Sequence, residues 1–209
     1  MNKTLIFCFL LLADLPAHSQ YKALVELNKN SSLSILVETN MLNFILVQKG
    51  DKLLNAPVAI SANVQEKTLF VDHNKFDIDV RGFKSENLIA QGEFYKLMKV
   101  DKFPRMKIEL VRFDSDTKNA SALSCGTALL NITITNVTRK YEFPVVIDKC
   151  NGLMRIAGKK KLSITDFGLN APRNLLLGML RINDQIEIDL DFQCILRVKN
   201  EDVSDLPVK

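Results

Sequence analysis

Tryptophan is absent from this chain, and only two histidines occur in its 209 residues, His18 and His73. With so few imidazoles, neither a multi-histidine metal centre nor a serine triad with a choice of base can be assembled. His73 stands between Asp72 and Asn74 and reads as an exposed turn residue. Glycine (8) and proline (6) are scarce, and 47% hydrophobic against 25% charged residues is an ordinary globular balance. Collagen-like, low-complexity and disordered classes are thereby excluded. Beyond the first residues no apolar run approaches ~18, so stable membrane insertion through a helix is not expected. Charge of one sign is lacking too. The net charge is +4, acids and lysines are interspersed, and Lys159-Lys160-Lys161 is the sole basic run, so no nucleic-acid partner is expected. Asp166-Phe167-Gly168 has no glycine-rich loop or His-Arg-Asp segment beside it, and Gly158-Lys159-Lys160 lacks the rest of a phosphate loop. The pairs Asp77/Asp79 and Asp189/Asp191 are spaced i, i+2, which on a strand puts both carboxylates on one solvated face. The expectation is a protein that is not an enzyme, with no metal and no cofactor.

What is present begins with a targeting signal. Lys3, the apolar run Thr4 to Ala13, and Ala17-His18-Ser19 before Gln20 have the layout of a cleaved secretory leader. Residues 1–19 are read as signal peptide and 20–209 as a single domain, in a periplasmic or secreted location. Export leaves Cys125, Cys150 and Cys194 where disulfides persist. Cys125 to Ile134 and Tyr141 to Cys150 are two strand-like runs around a turn. If that turn is centred between Val137 and Thr138, Cys125 lies opposite Cys150, and a disulfide is within reach. Two free thiols, or a shifted register, are the alternative. Cys194 reads as a small buried hydrophobe.

The most regular stretch is Asp184 to Val198. Ile186, Ile188, Leu190, Phe192, Cys194 and Leu196 share one parity, while Glu187, Asp189, Asp191, Gln193 and Arg197 share the other, with Ile195 the only misfit. Period-two alternation of this length is a strand with one dry face. Similar runs at Leu33–Val37, Asn43–Val47, Phe76–Val80, Met106–Val111, Leu153–Ala157 and Lys161–Thr165 give an all-β chain, with a break expected at Gly158. Phe94, Leu97 and Met98 fall at helical spacing within Gly92–Val100, ended by Phe103-Pro104. Even strand spacing with local turns predicts an antiparallel barrel or sandwich with one or two short helices.

Four ordered segments resemble the YceI-like family of exported bacterial proteins. They are Phe76–Val80 with Phe83-Lys84-Ser85, Phe94 to Pro104, Leu130 to Arg139, and Leu162–Leu169 with Asn183–Ile188. Asn136 stands where that family's hairpin carries glycine, a substitution that asparagine's access to left-handed backbone permits. The resemblance implies a lipocalin-like antiparallel β-barrel of about eight strands, holding a long apolar isoprenoid or fatty-acyl lipid, and a homodimer as family barrels often pair. On that view Ile35, Phe44, Ile78, Ile108, Leu110, Ile132, Ile134, Ile164, Ile188, Leu190 and Phe192 line an apolar tube. Phe94, Leu97 and Met98 on the helix, and Leu176 and Met179 in the loop Leu175–Met179, line its mouth. The alternative is an envelope-stress or interaction module whose barrel is filled by these same side chains.

Overall fold

The computed structural model describes residues 20–53, 57–65, 67–72, 74–116, 123–150, 152–171 and 181–199. The expected signal peptide, His73, Leu176 and Met179 lie outside the described residues. Among the described residues eleven strands form one sheet, every pairing antiparallel. They are β1 (Gln20–Leu27), β2 (Ser32–Thr39), β3 (Phe44–Lys49), β4 (Val58–Gln65), β5 (Thr68–Asp72) and β6 (Lys75–Asp79). The remainder are β7 (Arg105–Ser115), β8 (Leu123–Ile134), β9 (Val137–Cys150), β10 (Leu153–Ser163) and β11 (Ile182–Lys199). A single helical turn, α1 (Gly50–Leu53), and a longer helix, α2 (Leu88–Leu97), complete the set with two 3-10 turns, Val80–Gly82 and Ile164–Phe167.

Eight strands, in the order β1-β4-β5-β7-β8-β9-β10-β11, close into a ring through β1–β11 pairing. The ring is not a clean cylinder, because two of its strands change partner along their length. β11 pairs with β1 through Cys194–Lys199 and with β2 through Ile182–Asp191. β7 pairs with β6 through Arg105–Glu109 and with β5 through Arg112–Asp114. At the branched end Val47 and Lys84 exchange backbone hydrogen bonds of 2.8 and 2.9 Å, which ties β3 to the chain that follows β6. The barrel is therefore two stacked sections that share β7 to β11.

Where a strand changes partner its backbone groups lose a ladder, and each branch point carries a buried polar side chain that replaces it. Asn74 accepts from Leu110 N at 2.6 Å and donates Nδ2 to Leu110 O at 2.7 Å and Val71 O at 2.9 Å. Ser31 does the same for Gln193, accepting from its N at 2.9 Å and donating to its O at 3.1 Å. Both residues are 1% exposed. A buried amide or carbonyl without a partner costs about 1–3 kcal/mol, which accounts for polar side chains in an apolar wall. The bulge on β7 between Leu110 and Arg112 has a further effect: it resets side-chain parity, so that Phe113 faces inward after Met106, Ile108 and Leu110.

Three local expectations are corrected. The β8–β9 turn is the two-residue loop Thr135-Asn136, with φ of 48° and 66°, the type I′ geometry that matches strand twist. Its register pairs Cys125 with Val146, so Cys150 lies four residues further along β9, roughly 13 Å away. That is beyond disulfide reach, and Cys125 is a free, exposed thiol. Gly158 does not interrupt β10. It lets β9 approach, since a Cβ there would stand 2.6 Å from Pro144 O and 2.9 Å from Val145 Cγ1. Next to that contact the β9–β10 ladder stops at Val145–Gly158, because Pro144 has no N–H to offer. Finally, α2 begins at Leu88 rather than Gly92, because Asn87 caps it by accepting from Ala90 N at 3.0 Å.

Candidate functional site

The inner parity of β11 is the apolar one and its outer parity carries charge. Outside, Arg155 holds Asp191 with two 2.7 Å hydrogen bonds, Lys159 lies 2.7 Å from Asp189, and Arg197 lies 3.2 Å from Glu26. These exposed pairs contribute little to stability, but they keep that face in water. Inside, the two sections of the barrel each enclose an apolar cavity.

The upper cavity, within the eight-strand ring, is about 220 Å³. Of the residues expected to line a tube, Ile78, Ile108, Leu110, Leu190 and Phe192 are in its wall. The lower cavity, between β2, β3 and α2, is about 120 Å³. Ile35, Phe44, Ile134, Ile164 and Ile188 line it, together with Phe94, Leu97 and Met98 of the helix region. An apolar cavity of roughly 150 Å³ stays dry and admits a benzene-sized guest, so voids of this order are unfilled space available to hydrocarbon.

Among the described residues no side chain lines both cavities, and the expectation of one continuous tube is corrected. On β8, Leu130 faces the upper cavity and Ile134 the lower, while Ile132 between them lines neither and is buried. Leu162 on β10 holds the corresponding place between Ile156 and Ile164. Phe143, fully buried one pleat from Val145 on β9, is in neither wall, and nor are Val80, Phe83 and Leu33. These side chains form a packed waist. Gln48, also fully buried, stands at the same seam: its Nε2 donates to Lys52 O at 2.7 Å and its amide fills the space that a Cβ on Gly82 would need.

Several wall residues were not expected. Tyr21, Ala23, Val25 and Leu27 on β1 alternate toward the upper cavity, a period-two signal that is present in the sequence. Val37, Met106, Phe167 and Leu169 join the lower wall. Phe113 was hidden by the bulge.

Polar groups are few along these walls. Asn74 is in the upper one, fully engaged with backbone. Cys194 is there as well, its Sγ 3.3 Å from Met154 O, and burial pushes the thiol up to about 12 from 9.0. A folded pKa above the unfolded one means the protonated thiol stabilises the fold, fully below pH 9.0 and less as pH rises toward 12. Wild-type stability relative to Cys194→Ala should be flat below pH 9.0. It should then fall by up to about 1.4 kcal/mol per pH unit. Urea midpoints of the two proteins at neutral and at alkaline pH measure this, and a constant difference would show that the thiol is hydrated. Near the lower cavity the Tyr141 hydroxyl donates to Asp166 Oδ2 at 2.6 Å, and burial followed by that carboxylate raises its pKa.

Among the described residues no cluster of three or more His, Cys, Asp or Glu side chains is arranged to hold a metal, and no helix is long and apolar enough to cross a membrane. Fold and interior together define a class: an antiparallel barrel with apolar chambers. The model of the YceI-like domain matches residues 46–194, and the chain belongs to that family. Among solved structures it is similar to a polyisoprenoid binding domain from Saccharophagus degradans. That match has a TM-score of 0.58 at 10% identity, over 83% of this chain and 97% of that one. It is also similar to Burkholderia cenocepacia BcnA, with a TM-score of 0.50 at 11% identity, over 80% of this chain and 98% of the other. No curated protein matches it in sequence.

Proposed function

We propose that this is an exported, non-catalytic binding protein that shelters an isoprenoid or fatty-acyl lipid in its barrel, for carriage or sequestration. The observation that carries this reading is the unfilled apolar volume, about 220 Å³ in the upper section and 120 Å³ in the lower. Burial of each methylene contributes about 0.8 kcal/mol, so a dry wall holds a tail without any catalytic cluster. The name of the Saccharophagus degradans domain, which binds polyisoprenoid, supports the same ligand class. The competing reading, a self-filled interaction module, is favoured at the waist alone, where Phe143 and Phe83 leave no room.

Calorimetric titration with farnesol tests the proposal. Wild type should bind saturably. Ala62→Phe adds a ring to the wall of the upper cavity, beside Tyr21 and Val71, and should bind about tenfold more weakly or worse. Equal binding by both would move the ligand out of that cavity, and no binding by wild type would end the proposal.

A further inference from the structure

The lower cavity reaches the surface between two apolar lips. One is the link from β2 to β3, where Met41 is 60% and Leu42 44% exposed. The other is the first turn of α2, where Leu88 is 76% and Ile89 63% exposed. Leu42 and Ile89 also line the cavity, so the exposed patch and the inner wall are one continuous apolar surface. Both lips are held in place by local hydrogen bonds. Thr39 Oγ1 accepts from Leu42 N at 3.0 Å and Met41 N at 3.3 Å, and Asn40 Oδ1 accepts from Arg181 N at 2.8 Å. Asn87 caps the helix that presents Leu88 and Ile89.

Four large apolar side chains held out into water on fixed supports are costly unless something covers them. A second copy of the chain is a poor fit, since a stable dimer needs about 800 Å² from each partner and four side chains fall well short. A bilayer surface has no such threshold: wedges of this kind sink ~5–10 Å into the boundary between headgroups and tails. The position of the lips adds the decisive reason. A lipid leaving a membrane for the cavity would otherwise cross water with its tail exposed.

We infer that Met41, Leu42, Leu88 and Ile89 dock this protein on a lipid bilayer, with the lower cavity opening directly onto the acyl layer. The inference rests on the carrier reading above and names the surface through which that site is loaded. Because these four side chains carry no charge, docking should not depend on anionic lipid and should survive raised salt.

The test is flotation of the full chain with phosphatidylcholine vesicles, comparing wild type with Met41→Ser/Leu88→Ser. Neither substituted residue is in a cavity wall, so farnesol titrations should be unchanged and report independently on the carrier reading. Wild type should float, in low and high salt alike, and the double variant should partition about tenfold less. Transfer of a fluorescent fatty acid from vesicles to protein should slow in parallel. The inference is overturned if wild type stays in solution while still binding farnesol, or if the variant floats equally well. It is also overturned if wild type sediments as a dimer that the double substitution converts to monomer, since the lips would then cover a second copy. Loss of farnesol binding by wild type would instead remove the reading beneath it.

Discussion

Asn74→Ala should lower folding stability by about 3 kcal/mol or more, among the largest effects of any single polar substitution in the chain. The side chain is 1% exposed, and its amide satisfies Leu110 N, Leu110 O and Val71 O together. Alanine leaves all three in an apolar wall where water has little access, each at about 1–3 kcal/mol, with some relief from relaxation. The effect is structural as well as energetic. Asn74 holds the bulge at which β7 leaves β6 for β5, so the parity that brings Phe113 inward depends on it. Asn74→Asp retains the acceptor but replaces two donated bonds with repulsion from carbonyl oxygens, and should be no better. Urea unfolding of the two variants against wild type measures this; a loss under 1 kcal/mol for Asn74→Ala would show that the branch point does not rely on the amide.

Phe143→Ala should be as costly, about 3–5 kcal/mol, the range for deleting a fully buried aromatic ring. It should also change what the protein binds. Wild type presents two chambers parted by the waist, so lengthening an isoprenoid alcohol beyond what one chamber holds should stop improving affinity. With the ring removed the partition opens, and affinity should keep rising with chain length by up to about 0.8 kcal/mol per added methylene. Phe143→Leu, which keeps most of the volume and costs less, should remain folded and show a smaller extension. Titration with a graded series of isoprenoid alcohols separates the outcomes. An unchanged length limit in both folded variants would show that the waist does not set it.

Much of this architecture could be read from residue pattern, and the failures have physical causes. The alternation of Ile186 to Leu196 gave the inner wall of β11 because period two is a direct projection of a sheet's two faces. The same rule misled at β7, where the bulge after Leu110 shifts the phase and the cause, Asn74, lies 36 residues away. Gly158 suggested a break because glycine marks turns, but here it accommodates a neighbouring strand, a fact that exists only in three dimensions. The hairpin register failed by a two-residue misplacement of the turn. Thr135 does not advertise a positive φ, and moving the turn centre by two residues moves every cross-strand partner by four. On β8 the pattern marked Ile134 as a wall residue, but it did not mark Leu130, nor Val145 and Ile147 on β9, nor Met154 and Ile156 on β10; that Ile132 and Leu162 separate two chambers was not legible either, because a waist is a property of the closed ring.

The proposed function stands or falls on whether hydrocarbon occupies this barrel. Native mass spectrometry of the purified protein, with analysis of its organic extract, tests that most directly. The expected result is an added mass that is released by solvent as an apolar isoprenoid or acyl lipid, near one per chain. A chain that is bare when purified and remains bare when offered polyisoprenoid in detergent would overturn it.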